Sequence, residues 1–427
     1  MSVHNDLLSY IETIPVIDSH EHLPNESARV ASKPDFFCLF SHYCPDDLQS
    51  AGMTQETLDL LQGNADVESK WKAFAPFYEL AADTSYMRCA HLAIRKFYGM
   101  DRLGGLRDAE TLTERIREAN RPGLYRRVLK EACNIVTAVN FEGTGSDREF
   151  FTPVNFVTGY AELNSPAGIQ QVAKDINRAL PTLGRYVQAL GDIVAREKDK
   201  GTKGIKFHWA YMRPLEFLTV PAADAERVFN RIMDEGQGWR PVALGYEETR
   251  PLQDYLVHRL VEFAGELGLT VVFHVGVQAR PFMKLDDTRP GQLWNLLNRY
   301  RHVRFNMLHA GIPWMDEAAV MAKHFPNLTL DMGWTHAMSP ELSVRAIRAY
   351  VDMLPRNKVL GFGGDYCVVE KVYGHLTVAR QNIARALSAK VAEGALSEAS
   401  ARAWARAMLH DTPARTYDLA IDPLPAE

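Results

Sequence analysis

From residue 135 onward the chain alternates two kinds of pattern. Short, almost uninterrupted apolar runs are separated by longer stretches in which apolar residues return at helical spacing. The runs are IVTAVNF (135–141), TPVNFVTG (152–159), GIKFHWA (204–210), TVVFHVG (270–276), VRFNMLH (303–309), LTLDMGW (328–334) and VLGFGGD (359–365), and PVIDSH (15–20) precedes them all. Continuous apolar character points to strands buried on both faces, as in a parallel sheet. Between the runs, PLQDYLVHRLVEFAGELG (251–268) repeats Leu252, Leu256, Leu260 and Phe263 on one helical face and offers Gly268 as a stop. MDEAAVMAKHF (315–325) opens on an acidic first turn, and SPELSVRAIRAYVDML (339–354) places Ser339 as N-cap with Pro340 behind it. Strand then helix, eight times over, predicts an α/β fold of the (β/α)8 TIM-barrel type. A doubly wound open sheet is the rival, but no GxGxxG follows any early strand.

One segment breaks the rhythm. Residues 24–130 carry helical pattern and no convincing strand, including the aromatic-rich KWKAFAPFYELAADTSYMRCAHLAIRKFYGM (70–100). The expected organisation is therefore a lead-in and first barrel strand over 1–23, a helical insertion over the barrel mouth at 24–130, and the rest of the barrel with C-terminal helices at 131–427. Trp71, Phe74, Phe77 and Tyr78 of the insertion either pack onto the barrel or form a homo-oligomer interface. There is no internal repeat and no low-complexity linker.

Composition narrows the partners. The 427 residues are 46% hydrophobic with a formal net charge of −5, so a large core is affordable and nothing attracts nucleic acid or an anionic membrane. A small-molecule substrate is expected. Five scattered cysteines without a CxxC pair fit a reducing compartment rather than a disulfide framework. The N-terminus lacks a signal-peptide pattern, and no stretch of about 18 apolar residues suggests a membrane span. The expected location is the cytoplasm.

The chemistry lies where the apolar runs end. In VIDSHEHLP, His20 and His22 bracket one glutamate. Alternate strand residues share a face, so the two imidazoles start ~6.6 Å apart at ~3.3 Å per residue and can converge on one cation, while Glu21 points elsewhere. His274, His309 and Asp365 close three other runs. Barrel strands deliver such residues to one common mouth, which makes a shared metal site the economical reading.

GIKFH adds Lys206 and His208 on one face. Lys206 fits a carbamylated metal bridge, an acid–base or carboxylate-anchoring group, or a structural lysine paired with Asp18 or Asp365. His208 fits pocket wall or packing. Arg213 and Arg280 follow strand ends and could grip an anionic substrate bidentately. Glu142 and Trp334 sit just past the second and seventh runs, at positions suited to a pocket. His42, His91, His258, His324, His375 and His410 lie inside helical or irregular stretches and read as structural. The glycines of GFGGD suit a tight backbone passage beside the site.

These residues resemble the amidohydrolase superfamily, especially its amidohydrolase 2 branch, which carries His-x-His on strand one, His on strands five and six and Asp on strand eight. GIKFH, LTVVFHVG, RHVRFNMLHAGIPW, FPNLTLDMG, NKVLGFGGD and the closing DTPARTYDL follow the family in order. Within it the chain is similar to the amidohydrolase-like part of nodulin and glutamine-synthetase fusion proteins, and its insertion resembles that of uronate isomerases. The resemblance implies a divalent metal held by His20, His22, His274 and Asp365: zinc, with manganese as the alternative, and one ion, or two if Lys206 is carbamylated. It implies Asp365, His309 and Lys206 as catalytic groups, with Arg213, Arg280, His208 and Trp334 around the substrate. The implied reaction is hydrolysis of an amide, anilide or lactone of a small carboxylated molecule by an activated water. The alternatives are isomerisation, decarboxylation or hydration of a sugar acid or related acid, and a non-catalytic binding scaffold.

Overall fold

Every strand pairing among the described residues is parallel. The computed structural model describes residues 3–235, 243–421 and 424. One ladder joins β1 (Val16–Glu21), β2 (Ile135–Asn140) and β3 (Phe151–Pro153). The second runs in chain order through β4 (Asn155–Phe156), β5 (Gly204–Phe207), β6 (Thr270–Phe273), β7 (Phe305–Met307), β8 (Leu328–Asp331) and β9 (Val359–Leu360). The run expected as one strand at 152–159 is thus divided between the ladders. Val154 separates the halves, and its N–H donates to the Asn140 carbonyl at 3.0 Å, so the connection to β2 continues.

The outer edges of the two ladders also meet. Past β9, Phe362 accepts from the Ser19 N–H at 3.0 Å, Asp365 N–H donates to the His20 carbonyl at 2.7 Å, and Tyr366 accepts from His22 N–H at 3.2 Å. The chain after the last strand therefore lies against the first. β1, β5, β6 and β7 are buried at every position, as continuous apolar runs require. The anticipated helices appear at Tyr246–Glu266, Met315–His324 and Pro340–Met353. The first begins ahead of its apolar stripe, because Glu248 accepts from the Gly245 N–H at 3.0 Å and extends it upstream of Pro251. Ser339 Oγ caps the last by accepting from Leu342 N–H at 3.2 Å.

Between β1 and β2 the described elements are all helical. Phe74 and Tyr78 are buried within this segment, with Phe40 and Phe74 ring centroids 5.0 Å apart and Phe74 and Tyr78 4.9 Å apart. They are core rather than an interface; only Trp71 and Phe77 of that group remain half-buried. The helix Ser85–Tyr98 lies against the helix Val369–Ala392 so closely that a Cβ on Gly374 would sit 1.9 Å from the Cys89 carbonyl oxygen. The buried Arg29–Glu370 pair at 2.8 Å ties the segment to the same helix. All five cysteines are free thiols. Among the described residues, no helix is long and apolar enough to cross a membrane.

Candidate metal centre

β1 fixes two imidazoles. His20 is fully buried on the strand and His22 follows its last residue; their Nε2 atoms are 3.4 Å apart. Asp365 reaches them from beyond β9, with Oδ1 3.2 Å from His20 Nε2 and 3.8 Å from His22 Nε2. One donor atom from each of the three residues lies within 4.8 Å of the other two. Asp365 holds this position through a left-handed backbone (φ 59°) locked by its N–H bond to the His20 carbonyl.

Why glycines precede Asp365 is now visible. A Cβ on Gly363 would sit 2.8 Å from His20 Cβ, and one on Gly364 would sit 1.8 Å from Glu21 Oε1. Glu21 does point away from the histidines, into the protein, where its Oε2 accepts from Tyr366 N–H at 2.8 Å. Burial raises the pKa of Asp18 to about 7, and burial together with the neighbouring Asp18 carboxyl raises that of Glu21 well above its ordinary value. Gly364→Ala must displace this buried carboxyl. We expect a loss of about 1–3 kcal/mol in unfolding free energy, measured by urea denaturation.

His20 and Asp365 are in the forms that a cation needs. Burial drives the His20 pKa well below its ordinary value, leaving a neutral ring with a lone pair. Burial alone would raise Asp365, but His20, His309 and His22 together outweigh it and hold the carboxylate well below its usual range. Glu142 Oε1 lies 3.3 Å from His22 Nδ1, turning Nε2 inward. Such outer carboxylates orient ligands, so Glu142→Gln is expected to weaken metal affinity by about 10–100-fold, read by chelator competition. Two imidazole nitrogens and an ionised carboxylate fit a divalent metal.

Lys206 faces the same point. Its Nζ lies 3.0 Å from His20 Nε2 and 3.3 Å from His22 Nε2, above the rings of Phe141 and Phe156. Burial lowers its pKa to about 8. The alternative that pairs Lys206 with Asp18 or Asp365 finds no such ion pair among the described residues.

His274, expected as a fourth ligand, stands outside this trio. Its Nε2 lies 2.6 Å from the Val277 carbonyl, and its Nδ1 is 3.1 Å from His309 Nε2, so neither nitrogen joins the trio. His309 in turn places Nδ1 2.9 Å from the Gly333 carbonyl and 3.8 Å from Asp365 Oδ2. Burial lowers its pKa to about 4, so it too is neutral.

A cavity of about 290 Å³ opens onto His22, Lys206, His274 and Asp365. Its remaining wall contains His208, as anticipated, with Phe156 and Tyr211. His208 Nδ1 is engaged by Thr158 Oγ1 at 3.0 Å. Phe156, Tyr211 and Ala279 of this wall were not singled out from sequence, nor were two residues of the segment after β1, which has no strand ends to mark them. His42, read from sequence as structural, lines the cavity with its buried Nδ1 unpartnered and a left-handed backbone (φ 62°). Tyr43 beside it has its phenol pKa raised well above the ordinary value, by burial first and then by the Asp365 carboxylate.

Trp334 lies one layer behind the wall: buried, stacked on Tyr43 at 4.2 Å, edge-on to His309 at 5.2 Å. Arg213 is a clear correction. Its guanidinium is buried against Asp254 at 2.6 Å, Gln253 Oε1 at 3.1 Å and the Glu216 carbonyl at 2.8 Å, with no arm left for a substrate. Arg280 stays exposed beside Ala279 of the cavity wall, held by Gln278 Oε1 at 2.7 Å. His91, expected as structural, is bonded to the buried Tyr78 hydroxyl at 2.7 Å.

Known proteins share this organisation. Residues 187–419 match the family model described as Amidohydrolase. Protein fluG of Emericella nidulans is 25% identical over 171 residues, which are 38% of this chain and 19% of that protein. A uronate isomerase from Thermotoga maritima is similar in structure, with a TM-score of 0.79, 14% identity and 97% of each chain covered. A glucuronate isomerase from Caulobacter crescentus gives a TM-score of 0.78 at 18% identity, covering 99% of this chain and 95% of its own. At such identities the likeness is one of fold.

Proposed function

The chain belongs to the amidohydrolase family, and on that premise we propose that it is a metal-dependent hydrolase, built on a (β/α)8 barrel, that cleaves an amide, anilide or lactone bond in a small carboxylated molecule. The observation that carries this reading is the placement of Asp365. One carboxylate oxygen closes on His20 and His22 while the other faces His309. His20, His22 and Asp365 would hold the ion, zinc or manganese. A divalent cation bound there supplies Lewis acidity and lowers the pKa of water from ~15.7 toward ~7.

The chain's own groups do the rest. Asp365, kept ionised, takes a proton from the attacking water and returns it to the leaving group. His309 orients the reacting carbonyl from the neighbouring strand end. Lys206, its pKa lowered by burial to about 8, donates to the substrate's charged or polar end. Arg280 at the rim attracts a carboxylate. Tyr43 and Tyr211 with Phe156 present ring faces to the substrate body and shield the centre from bulk water. The segment 24–130 acts as an insertion contributing His42 and Tyr43 to this wall.

Isomerisation of a sugar acid is the second reading, favoured by whole-chain likeness to the two isomerases. The wall argues for hydrolysis first: a polyol needs polar partners on every side, and four of the ten lining residues, Tyr43, Phe156, Tyr211 and Ala279, present aromatic or aliphatic surface. Metal-loaded protein incubated with N-acyl amino acids, anilides, lactones and uronic acids separates the two by mass spectrometry. Hydrolysis gives products whose masses sum to substrate plus one water. A product of unchanged mass from a uronic acid alone would overturn the hydrolase reading and leave the metal centre standing.

A further inference from the structure

At the other end of the strands lies a cavity of about 790 Å³, larger than the one at the metal centre. Its wall includes Arg304, Asn327 and Lys358, the residues that immediately precede β7, β8 and β9. The metal-centre groups follow the opposite ends of their strands. In a parallel arrangement the two sites are therefore separated by the length of the sheet. Arg406 and Arg415 close the cavity from the C-terminal helices.

Its charge opposes that of the chain as a whole. Against a net −5, four cationic residues line the cavity with only two carboxylates, Asp411 and Asp418. Asp411 is taken by Arg406 at 3.0 Å and His410 at 2.9 Å. Arg304, Lys358 and Arg415 have no carboxylate partner among the described residues. Their positions are nonetheless fixed. Arg304 Nη2 donates to the Gly268 carbonyl at 2.6 Å, and Arg415 Nη2 donates to the Asn357 carbonyl. Lys358 Nζ is held by the carbonyls of Phe325, Pro326 and Leu328 at 2.8, 3.0 and 2.6 Å. Among the described residues, no hydrogen bond engages Nη1 of Arg304 or of Arg415.

Like charges that outnumber the carboxylates beside them repel one another. Burial and the neighbouring Arg415 pull the Lys358 pKa down to about 8, a cost that an anion in the cavity would reverse. Pre-positioned guanidinium forks suit oxyanions, and a phosphate ester supplies up to about two negative charges on one group where a carboxylate supplies one. The volume, within the ~300–1,000 Å³ range of small-molecule sites, leaves room for an organic body beyond the phosphate.

We propose that this cavity is a second binding site that takes a phosphorylated small molecule, with Arg304 and Arg415 gripping the phosphate and Lys358 supplying a fixed charge behind it. The site is independent of the metal centre and of the reaction assigned to it.

Titration calorimetry with inorganic phosphate, pyrophosphate and a sugar phosphate tests this, on full-length protein with and without a metal chelator. One site per chain is expected for the sugar phosphate or pyrophosphate. Arg304→Gln and Arg415→Gln should each weaken it about tenfold or more, while Asp365→Asn and chelation leave it unchanged. Urea unfolding curves confirm that each variant is folded, and ligand-induced protection of the wild type gives a readout that needs no variant. Absence of binding and protection at millimolar ligand overturns the proposal. So does binding undiminished in both arginine variants, binding matched by sulfate at equal ionic strength, or binding that disappears with Asp365→Asn, which would place the ligand at the metal centre.

Discussion

Asp365→Asn is expected to lower turnover by about 10²–10⁴-fold while leaving the protein folded. The side chain is nearly isosteric, and its backbone bond to the His20 carbonyl does not depend on the carboxylate. What disappears is the negative charge facing His20 and His22, and with it the group that moves a proton between water and leaving group. Metal retention should fall too, because a neutral amide replaces the only anionic donor of the trio. Steady-state kinetics with excess metal separates these effects. If saturating zinc restored wild-type turnover, Asp365 would be a ligand and no proton carrier. If turnover were unchanged without added metal, the proposed mechanism would fail.

The second large effect concerns stability. Arg213→Ala is expected to cost about 3–5 kcal/mol, because it leaves the Asp254 carboxylate buried without its counter-charge. The guanidinium is also packed against the rings of Phe217 and Tyr246, at 4.8 and 4.9 Å from their centroids. Urea denaturation measures the loss. A substrate-binding arginine would behave differently, raising KM with little change in the unfolding midpoint. Asp254→Asn should destabilise in the same direction, since it strands the arginine instead.

The contrast between these two residues shows what sequence could reveal. Asp365 closes an apolar run, and a polar residue there has few structural uses, so its place beside His20 and His22 was visible from pattern alone. The same held for His20 and His22, whose spacing matches the alternation of a strand. Arg213 also follows a strand end, but its partner Asp254 lies on a helix whose polar positions look like an ordinary solvated face. Nothing local distinguishes a buried ion pair from a waiting substrate anchor. His274 was placed correctly at the mouth; which way its ring turns depends on the Val277 carbonyl and on His309, a matter of angles that spacing does not encode.

The segment after β1 was legible as helical and opaque in function. Its aromatic stripe is core, as Phe74 and Tyr78 show, while the residues that reach the cavity, His42 and Tyr43, sit in an irregular turn between short helices. The broken third strand had a similar cause. TPVNFVTG carries one apolar pattern, but two different neighbours draw its halves into separate ladders. Only the assembled sheet decides that.

The most direct test of the account is the metal content of the purified protein by inductively coupled plasma mass spectrometry, with His20→Ala alongside. One divalent ion per chain, lost in the variant, is the predicted result. Protein that binds no zinc or manganese even after resupply, or a variant that retains the ion as tightly as the wild type, would contradict the assignment of His20, His22 and Asp365 as a metal centre.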